Sequence, residues 1–403
     1  MSDWSTSARN PTGDAYGGHA SRAARSVAGE ARPSDEARIC MPTWRAFARA
    51  PFQCYRYEAQ DVLASVEKVD MVPLQAKASL QKRERLLRRL MWYPTGRYAA
   101  VLNPGLGEVR LTRTYDAFVA VCENWWDLLY INAVKGWEQN CRTSILWLDE
   151  LFVGMLHRYR HWLPTLNRFE HIVLGHLRSV EEAGKLLGRT CYWAPPAVDV
   201  LRFRPSEPVG TRAIHLLSVG RRYAGIHSAL KRYSEQRNLF YHFDTLRGES
   251  MVVNDPREHR EMYAAKVRHS QFMLVGPGMM GEPEAGGEHV IGARFFEGAA
   301  AGAVLIGVAP RCREYELLFD WPDAVIELDP EGADAEKVLD VLLADPNRMA
   351  AVSLAGMQEC AKRHDWIHRW LTIYEIAGLP PSEAMLRRRQ HLEEIVGQYA
   401  AMG

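Results

Sequence analysis

Glu297 stands directly before Gly298-Ala299-Ala300-Ala301-Gly302, and Ala303-Val304-Leu305-Ile306 behind them is an apolar run short enough for a strand buried on both faces. A carboxylate so placed can grip the hydroxyls of a polyol, and small residues let a helix's last turn lie close to a strand or a ligand. Spacing alone favours the plainer arrangement, a packed helix–strand unit with Glu297 on its surface. Gly220-Arg221-Arg222 is a second group: the glycine leaves a strand-to-helix turn open and an adjacent guanidinium can clamp phosphate oxygens through two hydrogen bonds. Arginines in such a place are more often merely solvated. Asp149 and Glu150 form a third group, at the end of the apolar run Ile145–Leu148. Either could act as general base for an attacking hydroxyl if configuration inverts, or cap the helix that follows. Glu123-Asn124 hold the equivalent place after Ala117–Cys122.

These side chains need elements to position them. From Tyr115 onward Ala117–Cys122, Ser144–Leu148, His171–Gly175 and Thr190–Trp193 read as strands. Helices are expected over Trp126–Trp137, in a long stretch to Asn167, and over Val180–Leu187 closed by Gly188. Pro195 and Pro196 cannot continue a central strand and, with Arg202-Phe203-Arg204-Pro205, predict a crossover into a second domain. There Ile214–Val219, Leu239–Phe243, Gln271–Val275, the 303–306 run and Ala324–Leu328 read as strands, with helices over Ala224–Arg237, Arg257–His269 and Ala335–Leu343. Such alternation implies an α/β chain with two Rossmann-like doubly wound parallel sheets. Ligands of these sheets sit beyond the carboxyl ends of the strands, where 123–124, 149–150, 175–176 and 220–222 all fall. An active site is therefore expected in a cleft between the two sets of strand ends.

The remaining segments are less regular. Residues 1–38 are rich in Ser, Ala, Gly and Arg, too poor in large apolar side chains to offset the entropy of ordering, and are expected to be a disordered leader. The stretch 39–60 carries Trp44, Phe47, Phe52 and Tyr55 without a clear period. Leu80–Met91 reads as a helix with a dense basic face, usually a solvated surface, although it leaves peripheral contact with acidic lipid open. Glycine and proline between Gly276 and Gly287 predict a mobile loop over a ligand. Gly220–Gly225 lacks the dinucleotide glycine spacing, which argues against a Rossmann oxidoreductase.

A chain of 403 residues, 47% apolar and 25% charged, has ample material for more than one domain. The formal net charge of +1 gives no global electrostatic case for nucleic acid, which is excluded as a partner on that ground. The seven cysteines (40, 54, 122, 141, 191, 312, 360) lack paired metal-ligand spacing and read as reduced core residues; neither zinc nor a disulfide framework is expected. The absence of a bilayer-length apolar segment and of a hydrophobic signal core predicts a cytoplasmic location.

The string Arg294-Phe-Phe-Glu297-Gly-Ala-Ala-Ala-Gly302-Ala-Val-Leu-Ile306 resembles the donor-sugar motif of the "group 1" (GT4-like) glycosyltransferases of the GT-B fold, and Arg363–Trp370 resembles that family's last helix. The resemblance covers most of residues 213–377; the N-terminal half matches in layout only. It implies that Glu297 holds hydroxyls of a nucleotide-sugar, that the helix start with Arg294 and Gly298 lies near the phosphates, and that Gly220, Arg221 and Arg222 neutralise the departing diphosphate. The family's lysine a few residues on is missing, with Ile226-His227 in that region, so Lys231 or Arg294 would substitute. The glutamate eight positions before Glu297 is replaced by His289, flanked by Glu288; one of these would contact the donor.

The expected protein is thus a metal-independent, hexosyltransferase-like enzyme moving sugar from a nucleoside diphosphate donor to a glycan, lipid-linked or small-molecule hydroxyl, with no separate cofactor. The alternative is a catalytically inactive GT-B module binding a nucleotide sugar or a partner protein. The expected domains are 39–205 for the acceptor, 206–379 for the nucleotide sugar, and 380–403 as a C-terminal helix. That helix begins at the N-cap candidate Ser382, carries Leu386, Leu392, Ile395, Val396 and Tyr399 on one side, and in the resemblance packs back on the N-terminal domain. A hinge is expected near 205–212, and a 206–379 fragment is expected to bind nucleotide by itself.

Overall fold

A computed structural model describes residues 36–402 apart from 91–92, 94–99, 208–211, 246–250, 279 and 281–286. The leader at 1–38 therefore lies almost wholly outside the described residues, as do most of the 276–287 loop and part of the expected hinge.

In chain order the strands are β1 (Ile39–Thr43), β2 (Val69–Pro73), β3 (Val109–Arg110), β4 (Tyr115–Asn124), β5 (Val134–Lys135), β6 (Cys141–Glu150), β7 (His171–Leu174), β8 (Tyr192–Trp193), β9 (Ile214–Ser218), β10 (Tyr241–Phe243), β11 (Ser270–Val275), β12 (Val304–Gly307) and β13 (Ile326–Glu327). They form a six-stranded sheet ordered β2-β1-β4-β6-β7-β8 and a five-stranded sheet ordered β10-β9-β11-β12-β13, with β3 and β5 as a small separate pair. The pairings are parallel throughout. The helices of the first half are α1 (Cys54–Val66), α2 (Leu80–Leu90), α3 (Leu128–Ile131), α4 (Trp137–Asn140), α5 (Val153–Arg158), α6 (Leu163–Leu166), α7 (Leu177–Leu187) and α8 (Val200–Phe203). Those of the second are α9 (Ala224–Arg237), α10 (Pro256–Arg268), α11 (Ala293–Ala300), α12 (Arg313–Leu318), α13 (Ala335–Leu343), α14 (Pro346–Arg363), α15 (Trp366–Ile376) and α16 (Glu383–Ala400).

Strand β4 is buried along nearly its whole length and β6 from Ser144 to Asp149, which is why they read as continuous apolar runs rather than alternating ones. The sheet begins at Ile39, well before the Tyr115 that the pattern suggests. Both earlier strands contain proline, a residue that demotes a central-strand reading. Pro42 is tolerated because β1 pairs with β4 only through Ile39 and Cys40, so its missing N–H costs no bond on that side. The helix expected over Trp126–Trp137 is instead a turn capped by the Asn124 side chain, then α3, β5 and α4, with left-handed Gly136 (φ 81°) before α4. The stretch to Asn167 is likewise broken, into α5, a short turn, and α6 restarted with Pro164 in its first turn.

One core cluster runs through both halves. Ile39, Val119, Ile145 and Trp147 of the first sheet share it with Met273 and Leu305 of the second, with Phe296 of α11 and with Trp366, Trp370 and Met385 of the C-terminal helices. α16 lies on α14 and α15 and also touches α1. Its first turn is fixed by Ser382, whose hydroxyl accepts from the Met385 N–H and donates to the Val66 carbonyl, and Arg388 joins Asp199 (2.7 Å) to Asp365 (2.8 Å). Leu392, Ile395 and Tyr399 are buried on the expected face with Val396 packed beside them, while in the first turn Met385 takes the buried side and Leu386 faces solvent. Among the described residues no helix is long and apolar enough to cross a membrane. The seven cysteines are free; all are buried except Cys141 and Cys312, which are half-buried.

Candidate active site

The strand-end acids of the first sheet gather around one buried arginine. Register places Asn124 beside Glu150 and Cys122 beside Leu148, so the carboxyl ends of β4 and β6 are level. Arg56 of α1 reaches both Glu123 (2.9 Å) and Asp127 (2.6 Å), and the Asp127 carboxylate also accepts the Glu123 backbone N–H at 2.8 Å. Gln53 donates to Glu123 as well. Burial raises the Glu123 and Asp127 carboxyls despite Arg56.

Asp149 differs from Glu123 and Asp127 in having no ion-pair partner among the described residues. It is buried, burial pushes it up to about 7, and its Oδ1 has no hydrogen-bond partner. Gly175 lies so tightly against it that a Cβ there would collide with the carboxylate. Glu150 is half-buried and also raised, by burial first and then by Asp149, while Arg56 and Arg221 pull it back. Arg221 thus acts electrostatically from the second sheet's first turn on an acid of the first sheet. Other contacts across the same line are Arg178 to Glu288 (3.6 Å) and the Leu177 N–H to Glu314 (3.0 Å).

At the end of β9, Gly220 is left-handed (φ 78°), as an open strand-to-helix turn requires, and its N–H donates to Asp244 at 2.8 Å. Arg222 is committed to Asp244, through its carboxylate at 2.7 Å and its carbonyl at 2.8 Å. Arg294, in the first turn of α11, donates to the carbonyls of Val219 (2.5 Å) and Arg221 (2.9 Å) and so props this turn from behind. Arg221 is the exposed member of the three. Lys231 instead faces Glu235 on α9 (3.9 Å). His289 is exposed, its Nδ1 accepting the Arg311 N–H at 3.0 Å.

Glu297 is not on a surface. It is 3% exposed, takes Arg260 at 2.5 Å and Tyr263 Oη at 3.1 Å, and has both oxygens engaged. Arg260 in turn binds Glu58 of α1 at 2.9 Å, and Glu58 accepts the Asp199 N–H and the Trp366 indole N–H. This chain of buried charges ties α11 to the first half of the molecule. Gly298 is likewise a packing residue here: a Cβ would come within 2.5 Å of Leu305 and 2.9 Å of the Met273 sulfur, so the glycine lets α11 lie on β11 and β12. Arg56, Glu58, Arg260 and Tyr263 carry no sequence motif; the one available signal was charged residues set among the buried positions of α1 and α10. Among the described residues there is no cluster of three or more metal-ligating side chains.

Residues 212–375 match a family model described as glycosyl transferase-like. The fold is GT-B. A solved alpha-glucosyltransferase in complex with UDP and a 13-mer DNA containing an HMU base matches with a TM-score of 0.50 and 10% identity, covering 84% of this chain and 98% of that one. The same enzyme with UDP-glucose and DNA containing an abasic site matches with a TM-score of 0.50 and 11% identity, over the same shares. No curated protein matches. Residues 212–375 are thus a glycosyl transferase-like domain within a chain of GT-B fold. The exclusion of nucleic acid drawn from net charge does not stand, because structural neighbours of this GT-B chain hold DNA. A formal charge summed over the whole chain does not describe the field at any one surface.

Proposed function

We propose that the protein transfers a hexose from a nucleoside diphosphate sugar to a hydroxyl-bearing acceptor without a metal ion. What supports this is that the carboxyl end of the first sheet meets the second half through Arg178–Glu288 (3.6 Å) and the Leu177 N–H to Glu314 (3.0 Å), with Glu150 of β6 under the electrostatic influence of Arg221 on the turn after β9. A carboxylate able to take a hydroxyl proton and a guanidinium able to meet a diphosphate would then face one another across one site. The diphosphate would lie against the Gly220 turn and the N-terminus of α11, with Arg221 countering its growing charge and Arg222 and Arg294 holding the turn in shape. Glu150 would accept the acceptor proton in an inverting transfer, with Asp149 keeping its proton affinity high. Glu288 and His289 are assigned to the sugar side. For Glu297 to grip a hydroxyl, one of its present partners must yield.

That engagement of Glu297 favours a second reading, a GT-B module that binds a nucleotide sugar without turning it over. Incubation with a panel of radiolabelled nucleoside diphosphate sugars, chelator present, and glycan, lipid-linked, small-molecule and nucleic-acid acceptors separates the two. Release of free nucleotide with label on an acceptor supports transfer; donor retained but never consumed supports the binding module.

A further inference from the structure

The exposed face of α2 has no counterpart in the chemistry above. On a helix of 3.6 residues per turn, Leu80 and Leu87 point to one side and are buried, while Lys82, Leu86, Arg89 and Leu90 point to the other. Leu86 is 57% and Leu90 42% exposed, and Tyr93 beyond them is 64% exposed. Arg83 flanks the leucines on one side; Lys82, Arg85 and Arg89 flank them on the other, all exposed and without a carboxylate partner among the described residues. The helix's remaining arginine is engaged locally: Arg88 pairs with Glu84 (2.6 Å) and lies over the Trp126 ring (4.9 Å). Val101 and Leu102 are also exposed, on a segment held by Asn132, whose amide donates to the carbonyls of Ala100 and Leu102.

We infer that this face docks on an anionic lipid bilayer and presents the acceptor site to a lipid-linked hydroxyl. Leucines flanked by cations match an interface where apolar groups enter the acyl boundary and cations meet headgroup phosphates. A nucleic acid would use the cations but leave the leucines in water. The position relative to the site supports the acceptor. Glu84 accepts from Tyr130 Oη at 2.9 Å and Arg88 covers Trp126, so α2 sits on the segment that leads directly from Glu123 and Asp127 at the end of β4. The choice of acceptor rests on the glycosyl-transfer reading; the docking itself does not.

Cosedimentation of the full chain with phosphatidylcholine vesicles, and with vesicles that also contain phosphatidylglycerol, tests it. Binding is expected only to the anionic vesicles and should weaken with salt. Leu86→Ser/Leu90→Ser should lower it at least about tenfold, and Arg85→Glu/Arg89→Glu should remove it. Because these side chains are exposed and outside the site, transfer to a soluble acceptor should stay unchanged while transfer to a lipid-linked one in vesicles falls. Absence of vesicle binding overturns the proposal, as does binding that ignores the leucine substitutions. Duplex DNA binding that does not change in the leucine variants, without vesicle binding, would reassign the face to nucleic acid. If vesicles bind but no donor is ever consumed, the enzymatic reading fails and the docking face stands.

Discussion

Arg260 holds two carboxylates that belong to different parts of the chain, Glu58 and Glu297, and all three are almost free of solvent. Glu297→Gln keeps the shape and the Tyr263 contact but takes one anion from the arginine. Since Glu58 remains, the loss in unfolding free energy should be about 2 kcal/mol rather than the larger cost of stranding a buried ion. Urea denaturation reads this directly; an unchanged midpoint would mean that Glu58 alone balances Arg260. Asp149 makes a pH-dependent prediction. Its carboxyl ionises near 3.8 in the unfolded chain and only at about 7 when folded, so between those values the folded state keeps an extra proton. Its contribution to stability therefore falls as pH rises through that window, by at most roughly 4 kcal/mol. Asp149→Asn should be progressively more stable relative to the parent from pH 4 to 7, and flat differences across that range would show that the group finds another partner. Glu150→Gln should lower transfer at least about tenfold and flatten the acidic limb of the pH–rate profile. At this scale the sequence was readable where function follows from strand ends, as at Asp149, Glu150 and Gly220. It was not readable where a charge is satisfied across the fold: Arg260 and Glu58 are 202 positions apart, and no local pattern brings them together.

At the scale of elements, the Gly-Ala run of α11 is explained by packing. The helix rests on β11 and β12 through Gly298, and Gly302, left-handed at φ 67°, brings the chain back beside Ser353 and Met357 of α14. Gly298→Ala must push Leu305 or Met273 aside and should cost about 1–3 kcal/mol, measured by thermal or denaturant unfolding. A neutral result would mean that the Met273 thioether simply moves. Long amphipathic helices were the most legible elements: α9 and α13 have the residue ranges that their periodicity predicts. Short or proline-containing elements were the least legible. β1 and β2 escaped because Pro42, Pro73 and Asp70 speak against strands locally, and only pairing with β4 makes the first of them central. The aromatic stretch after Asn124 misled in the opposite sense, since its apolar richness reflects a packed set of turns around Trp125 and Trp162, not one helix face.

At the scale of the whole molecule, two sheets do not make two independent bodies. α1 belongs to the first half by sequence, yet it packs on α10, α15 and α16 of the second. Its Glu58 receives hydrogen bonds from Arg260 and Trp366, and the Ala59 carbonyl accepts the Trp370 indole N–H at 3.0 Å. A 206–379 fragment would lose these partners, leave Arg260 with Glu297 alone, and expose Trp366, Trp370 and Tyr374, each at most 2% exposed in the full chain. The expectation that such a fragment binds nucleotide by itself is therefore replaced by its opposite: it should be aggregated or molten, with no measurable donor binding. Removal of residues after Leu379 should be severe for a related reason, since it uncovers the faces of α14 and α15 and deletes Arg388, which joins Asp199 to Asp365. For the full chain the shared core predicts one cooperative unfolding transition, seen at the same denaturant concentration by tryptophan fluorescence and by far-ultraviolet dichroism. The tryptophans of the first half, such as Trp137 of α4 and Trp147 of β6, and those of the C-terminal helices would report together. Two resolved transitions, or a well-folded 206–379 fragment, would show that the buried charges and α1 contacts couple the halves more weakly than their burial implies.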